Sequence, residues 1–272
     1  MGRWLAGILV LVVVGAVVVA VVVLRPFASP GCAAATDGSA DMTVEQADNA
    51  ATIAAVGVAQ GMPDHGAVSR VRGKELVDAV TIALATAMQE SGLRNLTGGD
   101  RDSAGLFQQR PSQGWGTYAQ VTDPVHAAVA FYDKLRSEPD WTTLTVTEAA
   151  QLVQRSAAPQ AYARWEPRAR AIAAALTGEF PATLTCHDLT LAVPGADVAT
   201  LAGQELGTTT LSGPQPQARG WAFATWLVAH ASRLGLDRVS YDGRTWTASS
   251  GGWTTTTSPG DGMLALHRAT AP

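Results

Sequence analysis

The pattern of apolar and polar positions divides the chain into an anchor, a helical part and a mixed part. Residues 4–24 carry no charge and are mainly Val and Leu; as a helix they would be about 31 Å long, close to the roughly 30 Å apolar thickness of a bilayer. Residues 42–180 show apolar runs of helical length, and beyond them Thr, Gly and Pro become frequent. We therefore predict an α+β protein with a transmembrane anchor (1–25), a linker (26–41), a mainly α-helical domain (42–180) and a small mixed α/β domain (187–272).

Capping patterns set the predicted ends of the helices. A Thr or Asp followed three residues later by Gln or Glu, or directly by Pro, marks a helix start, and a Gly after an apolar run marks a stop. These signals predict helices from Thr43 to about Gln60, Gly73 to Glu90, Asp123 to about Arg136 and Thr145 to about Ser156, with two short helices on either side of Pro167 that end at Gly178.

The last ninety residues combine helix and strand signals. Residues 219–234 form an amphipathic pattern that predicts a helix. Asp242-Gly243 lies between two runs rich in β-formers, which is typical of a tight hairpin. The four tryptophans of this part favour core packing, with a wall-binding face as the alternative; they are Trp221, Trp226, Trp246 and Trp253.

Charge narrows the classes of partner. The formal net charge is −4 and the chain has only two lysines, so no basic field for nucleic acid is expected. Arg3 and the terminal amine precede the apolar segment and Arg25 follows it, so the excess of positive charge before the segment weakly favours a single-pass protein with its main body outside the cell membrane. A long cleaved signal peptide is the alternative, and Pro30 argues against a lipoprotein site at Cys32.

Two cysteines, Cys32 and Cys186, flank the helical part. In an exported chain such a pair favours a disulfide, which would close a loop of about 150 residues and contribute roughly 5 kcal/mol on the chain-entropy model. Two free buried thiols are the alternative. Paired Cys/His spacing is absent from the sequence, so we expect no metal site.

A carboxylate, Glu90, ends the apolar run 77–88 and is followed by a loop rich in Gly, Asp, Asn and Ser. If this carboxylate faces a cleft at the end of a buried helix, partial desolvation raises its pKa and lets it donate a proton near neutral pH. Cleavage of a glycosidic bond requires such an acid. An exposed residue in the last turn of a helix is the alternative reading of the same spacing.

Three stretches in order, "QESGLRNL", "GDRDSAGLFQQRPSQGWGT" and "AYARWEP", resemble lysozyme-like lytic transglycosylases in the form found in actinobacterial envelope proteins. The loop "GDRDSAGLFQ" also resembles goose-type lysozymes, which share the fold. The resemblance covers about residues 42–180. It implies a lysozyme-like fold and cleavage of the β-1,4 bond between N-acetylmuramic acid and N-acetylglucosamine in peptidoglycan, with no metal or organic cofactor.

The resemblance also implies roles for individual residues. Glu90 matches the general acid, which takes a proton back from the sugar 6-hydroxyl to form an anhydro end, and Tyr162 matches a tyrosine beside it. Asp100 matches the goose-type aspartate that positions water and would favour hydrolysis; capping of a turn is the alternative. Substrate contacts in the cleft are implied for Ser91, Ser103 and Gln108, and local capping is the alternative for the two serines. The asparagine that usually follows the family's tyrosine is replaced by Ala163.

These expectations describe a membrane-anchored enzyme whose partners are peptidoglycan glycan strands and the membrane. The C-terminal part resembles a domain that recurs in actinobacterial wall proteins and that implies no activity of its own. The rival hypothesis is a non-catalytic envelope scaffold that binds glycan through a degenerate lysozyme fold.

Overall fold

The computed structural model describes residues 29–34, 40–61, 70–156, 160–256 and 260–270, with only the backbone for 70–75. The predicted span, residues 4–24, and the start of the predicted linker lie outside this part of the chain. Within it, no helix has the length and apolarity that crossing a bilayer requires.

The helical part follows the predicted order of elements. Its helices are α1 (Val44–Gly61), α2 (Arg70–Ser91), α3 (Tyr118–Val121), α4 (Pro124–Ser137), α5 (Val146–Gln154) and α6 (Glu166–Leu176), with 3₁₀ turns at Pro111–Gln113, Trp141–Thr143 and Ala163–Trp165. Helix α2 lies at the centre and packs against α1, α5 and α6. A mainly helical part followed by a small mixed part is therefore confirmed.

The predicted caps are present. Gln46 and Thr43 exchange the reciprocal bonds of a capping box at the start of α1, and Asp123 caps α4 by accepting from the His126 amide at 2.7 Å. Gly92 follows α2 with a φ of 65°. The two short helices predicted around Pro167 are present as the 3₁₀ turn Ala163–Trp165 and α6, but the boundary lies before Glu166. Pro167 is in the first turn of α6, where its missing N–H breaks no helical bond.

The first sheet joins the two ends of the helical part. Strands β1 (Gly31–Ala34), β2 (Asp41–Thr43) and β3 (Leu184–His187) form an antiparallel sheet in the order β2-β1-β3. Cys32 lies opposite Cys186 in this pairing, and the predicted disulfide between them is confirmed. Part of the segment predicted as a linker, 26–41, is therefore the central strand of this sheet. Its alternate residues Cys32 and Ala34 are buried in the core.

The second sheet belongs to the C-terminal part. Its strands are β4 (Gly213–Pro214), β5 (Leu236–Tyr241), β6 (Arg244–Thr247), β7 (Trp253–Thr255) and β8 (Met263–Arg268), in the antiparallel order β4-β8-β5-β6-β7. Tyr241 pairs with Arg244, and the two loop residues between them, Asp242 and Gly243, both have positive φ. The predicted Asp242-Gly243 hairpin is therefore confirmed.

Three helices accompany this sheet: α7 (Val198–Glu205), α8 (Gln217–Ala229) and α9 (Ala231–Leu234). The helix predicted over 219–234 is present but divided, because His230 separates α8 from α9 with φ −90° and ψ 5°. Trp221, Trp226 and Trp246 are buried, so these three tryptophans pack in the core. Trp253 is partly buried and donates to the Leu184 carbonyl at 2.8 Å.

The two parts share one core. Helix α8 packs against α1, α6 and β3 as well as against β5, and the buried apolar residues of both parts form one continuous cluster. The boundary predicted at residues 180–187 therefore does not separate two independent cores.

An interdomain ion cluster, formed by Asp48, Glu205, His230 and Arg233, crosses this contact. The His230 ring is fully buried and bonds to Asp48 at 2.5 Å and Glu205 at 3.0 Å, and Arg233 pairs with both carboxylates. Burial alone would raise the pKa of Glu205, but His230 and Arg233 lower it to about 2. The attraction between opposite charges thus compensates for the removal of Glu205 and His230 from water.

Candidate active site

Glu90 lies in the last turn of α2, at the edge of the core. The residues before it, from Val80 to Met88, are buried, whereas Glu90 is partly buried. The helix ends directly after it, because the Gly92 and Leu93 amides fold back to the Met88 and Ala87 carbonyls. The apolar helix therefore holds a carboxylate where the core meets the surface.

The structure brings Glu90 and Tyr162 together. The buried Tyr162 hydroxyl donates to Glu90 Oε1 at 2.7 Å. Burial raises the pKa of Glu90 above 4.5, and the hydrogen bond from Tyr162 opposes this rise without cancelling it. Burial and the neighbouring carboxylate also raise the pKa of Tyr162, which keeps that side chain a hydrogen-bond donor. Glu90 is therefore a carboxyl group suited to hold and release a proton.

Gln89 positions the segment that carries Tyr162, and sequence reasoning missed it. Its side-chain oxygen accepts from Arg164 Nη2 and from Trp165 Nε1, both at 2.9 Å. The Arg164 guanidinium also lies 4.9 Å from the centre of the Trp165 ring. These bonds fasten the turn after Tyr162 to the end of α2. The only sequence signal was the position of Gln89 directly before the glutamate.

Ser91 connects α2 to the following loop. Its buried hydroxyl lies 2.7 Å from the Leu106 carbonyl and 3.0 Å from the Ala87 carbonyl. The Gly105 amide donates to the Leu96 carbonyl at 2.7 Å, and a Cβ on Gly105 would lie 1.9 Å from the Val121 carbonyl oxygen. In this structure Ser91 therefore supports the loop from inside, and the substrate contact that the resemblance implies stays a prediction.

Asp100 is placed differently from Glu90. Its side chain is 88% exposed, and its nearest charged partner, Arg101, lies at 3.9 Å. Ser103 is buried and donates to the Asp100 main-chain carbonyl at 2.6 Å, which closes a turn. The structure therefore shows a turn-closing role for Ser103 and a solvated carboxylate at Asp100.

Asp102, by contrast, is held in place by hydrogen bonds. It accepts from the Ser112 amide at 2.7 Å and from Arg110 Nε at 3.0 Å. The Ser112 amide and then Arg110 lower the pKa of this carboxyl to about 2. Asp102 is thus ionised at neutral pH and fastens the loop to the Pro111–Gln113 turn.

Gln108 folds back over its own loop. Its side-chain nitrogen donates to the Gly105 carbonyl at 3.2 Å, and a Cβ on Gly99 would lie 1.7 Å from its side-chain oxygen. The carbonyl of the preceding residue, Phe107, accepts a hydrogen bond from the Gln154 side-chain nitrogen at 2.8 Å. Gln108 also lines a pocket of about 580 Å³ on this side of the loop.

The described residues contain no group of three or more His, Cys, Asp or Glu side chains arranged to hold a metal ion.

Residues 163–263 match a family model described as VldE, C-terminal domain. No curated protein matches the chain. The matched segment starts directly after Tyr162, includes α6 and extends into β8, so it joins the last helix of the helical part to the C-terminal part and leaves Glu90 outside.

Proposed function

We propose that this chain is a peptidoglycan-cleaving glycosidase of the lytic transglycosylase type, with Glu90 as its general acid and base. The observation that supports the proposal is the Glu90–Tyr162 pair: a partly buried carboxyl at a helix end, with a raised pKa and a hydrogen bond that orients it. A glycosidase needs its acid protonated near neutral pH, and burial is the usual means.

In the proposed first step, Glu90 donates its proton to the oxygen that joins N-acetylmuramic acid to N-acetylglucosamine. The bond from this oxygen to the anomeric carbon breaks, the N-acetylglucosamine end leaves as an alcohol, and positive charge develops at the anomeric carbon. In the second step the ionised Glu90 takes the proton of the muramic 6-hydroxyl as that oxygen bonds to the anomeric carbon. The product is a 1,6-anhydro end, and Glu90 regains its proton.

Tyr162 has a defined part in this cycle. Its hydroxyl donates to Glu90 Oε1, so the other carboxyl oxygen, Oε2, is left to exchange the proton with the sugar. The bond stabilises the ionised carboxylate that forms after the first step, because a hydrogen bond to the charged form favours that form. Gln89 supports the arrangement by holding the Arg164–Trp165 turn.

The positions of the two loop carboxylates, Asp100 and Asp102, favour transglycosylation over hydrolysis. Asp100 extends into solvent, and Asp102 is occupied by Arg110 and Ser112. Neither arrangement supports a base that positions a water molecule, whereas the two-step cycle needs only Glu90. The disulfide between Cys32 and Cys186 supports an extracytoplasmic location, where such bonds persist; attachment to the cell membrane by residues 4–24 remains part of the proposal.

The experiment compares Glu90→Gln with wild type on purified peptidoglycan. Glutamine keeps the size of the side chain but has no transferable proton, so we expect turnover to fall by about 10²–10⁴-fold. Glu179→Gln is the matched control, because Glu179 is exposed and lies outside the site; it should cleave like wild type. Mass spectrometry of the wild-type digest should show anhydro ends.

Three results would decide against parts of this proposal. Wild-type turnover by Glu90→Gln would remove Glu90 from the chemistry. Reducing ends in place of anhydro ends, lost in Asp100→Asn, would identify a hydrolase. A wild-type protein that binds peptidoglycan without cleaving it would favour the non-catalytic scaffold.

A further inference from the structure

The pocket beside Gln108 is basic, and we call it the basic pocket. Four segments line it: the loop at Gln108 and Arg110, the turn at 113–115, helix α4, and the end of α5; its other lining residues are Gln113, Gly114, Trp115, Ala130, Lys134, Val153, Gln154 and Arg155. Three of all the lining residues are cations, namely Arg110, Lys134 and Arg155, and among the described residues that line the pocket none is acidic. Its volume of about 580 Å³ suits a substituent of several heavy atoms.

The three cations are not equally neutralised. Arg110 pairs with Asp102 at 3.0 Å, and Lys134 pairs with Glu138 one helical turn later. Arg155, which ends α5 with a φ of 52°, has no carboxylate partner in the described part of the chain. The basic pocket therefore has a net positive charge at its rim that a ligand anion would meet.

The remaining lining selects among anions. Gln108, Gln113 and Gln154 offer amide groups, which match the donor and acceptor pattern of peptide bonds. Trp115 and Val153 add apolar surface for small side chains. Helix α5 ends at this pocket, so its carbonyl end places partial negative charge there. This partial negative charge repels a phosphate dianion more strongly than a single carboxylate, so the pocket favours a carboxylate with neighbouring amides.

Short contacts connect the basic pocket to Glu90. The Ser91 hydroxyl bonds to the Leu106 carbonyl at 2.7 Å, and Gln154 in the pocket wall bonds to the next carbonyl, that of Phe107, at 2.8 Å. Gln108 then lines the pocket itself. The pocket is therefore built on the same loop that is fastened to the end of the catalytic helix.

We propose that the basic pocket binds a carboxylate-bearing peptide attached to the substrate glycan. This inference rests on the proposed function for the identity of the polymer, and it makes Arg155 a specificity-determining residue. A bare neutral sugar has no anionic group to pair with Arg155, whereas a peptide on the sugar has both the carboxylate and the amides.

The test measures binding without turnover, in the Glu90→Gln background, by calorimetric titration. The probes are a disaccharide-peptide with free carboxylates, the same compound with its carboxylates amidated, and an N-acetylglucosamine tetramer. We expect the free-carboxylate form to bind at least about tenfold more tightly than the amidated form, since charge-assisted hydrogen bonds are about twice as strong as neutral ones. Arg155→Gln should abolish the difference and Arg155→Lys should restore part of it. Arg244→Gln, the same change on an exposed strand residue of the second sheet, should retain it.

A second measurement separates this inference from the proposed function. With Glu90 restored, Arg155→Gln should lower the ratio of the cleavage rates on intact and on peptide-stripped peptidoglycan several-fold relative to wild type, and Arg244→Gln should leave this ratio unchanged. If the wild-type protein cleaves no glycan and still binds the free-carboxylate probe more tightly than the amidated one, the peptide pocket is supported and the enzymatic proposal is refuted. Equal affinity for the free and amidated probes, an unchanged difference in Arg155→Gln, or displacement of the probe by equimolar inorganic phosphate would each overturn the peptide pocket.

Discussion

Replacing Tyr162 with phenylalanine removes one hydroxyl and leaves the buried ring. The lost bond is the 2.7 Å donation to Glu90 Oε1. A hydrogen bond to a charged group contributes roughly 1.5–3 kcal/mol and one to a neutral group roughly 0.5–1.5 kcal/mol. The bond therefore favours the ionised carboxylate over the protonated one by about 1 kcal/mol, and its loss should increase the ratio of acid to carboxylate at a given pH by roughly fivefold.

The sign of the effect on activity follows from the first step. Burial raises the pKa of Glu90, and Tyr162 partly offsets that rise; without Tyr162 the pKa rises further. A general acid loses activity as the pH rises through its pKa, so the alkaline limb of kcat/KM should move to higher pH in Tyr162→Phe. The maximal kcat should fall, because the carboxyl group loses the bond that orients it and the bond that stabilises its ionised form.

The assay is the pH profile of kcat/KM on a soluble glycan oligomer, whose limbs report the ionisation of the free enzyme. Tyr118→Phe is a matched control: its hydroxyl also bonds at 2.7 Å, but to the neutral Thr97 carbonyl on the surface. Its alkaline limb should stay where the wild-type limb is. An unmoved limb in Tyr162→Phe, or one at lower pH, would refute the assignment of that limb to Glu90.

Three further predictions concern stability. Because burial raises the pKa of Glu90, its ionised form destabilises the fold above that pKa, so Glu90→Gln should melt at a higher temperature than wild type at pH 8 and lose this advantage below about pH 4.5; an equal advantage at both pH values would contradict this. Mutating Cys32 and Cys186 together to alanine should lower the free energy of unfolding by about 2–5 kcal/mol in a denaturant titration, because the bridge closes a long loop; an unchanged midpoint would argue against a stabilising bridge. Burial lowers the pKa of His230, but Glu205 and a second carboxylate raise it on balance. The contribution of charged His230 to the free energy of unfolding is therefore complete below about pH 6.5, and it is lost as the pH rises through the pKa of His230 in the folded protein. Replacing His230 with glutamine should cost about 3–5 kcal/mol at pH 6 and less at high pH, and a loss that does not depend on pH would refute the charged state.

Much of the local structure could be predicted from the sequence. The capping boxes at Thr43 and Thr145, the stop at Gly92 and the Asp242-Gly243 turn depend on contacts between residues two to four positions apart. Such signals are complete within a few residues, so they remain readable without the fold. The position of Glu90 at the end of an apolar helix was predictable for the same reason.

Where local signals were absent or conflicted with packing, the sequence was misleading. Strand β1 was predicted as linker because Pro, Ala, Gly and Ser surround it, and only its pairing with β3, more than 150 residues later, makes it a strand. The break at His230 has no marker in the sequence; the ring lies in an ion cluster whose two carboxylates, Asp48 and Glu205, come from distant helices.

The sequence by itself determined which carboxylates, cysteines and helix ends were available, and tertiary structure decided what each of them does. Glu90 and Tyr162 are 72 positions apart and meet only because α2 and the turn before α6 pack together. Asp100 and Asp102 are nearly adjacent in the chain, yet one is solvated and the other is held by Arg110 and Ser112. A pKa depends on burial and on the partners in space, and neither quantity is a property of neighbouring residues in the chain.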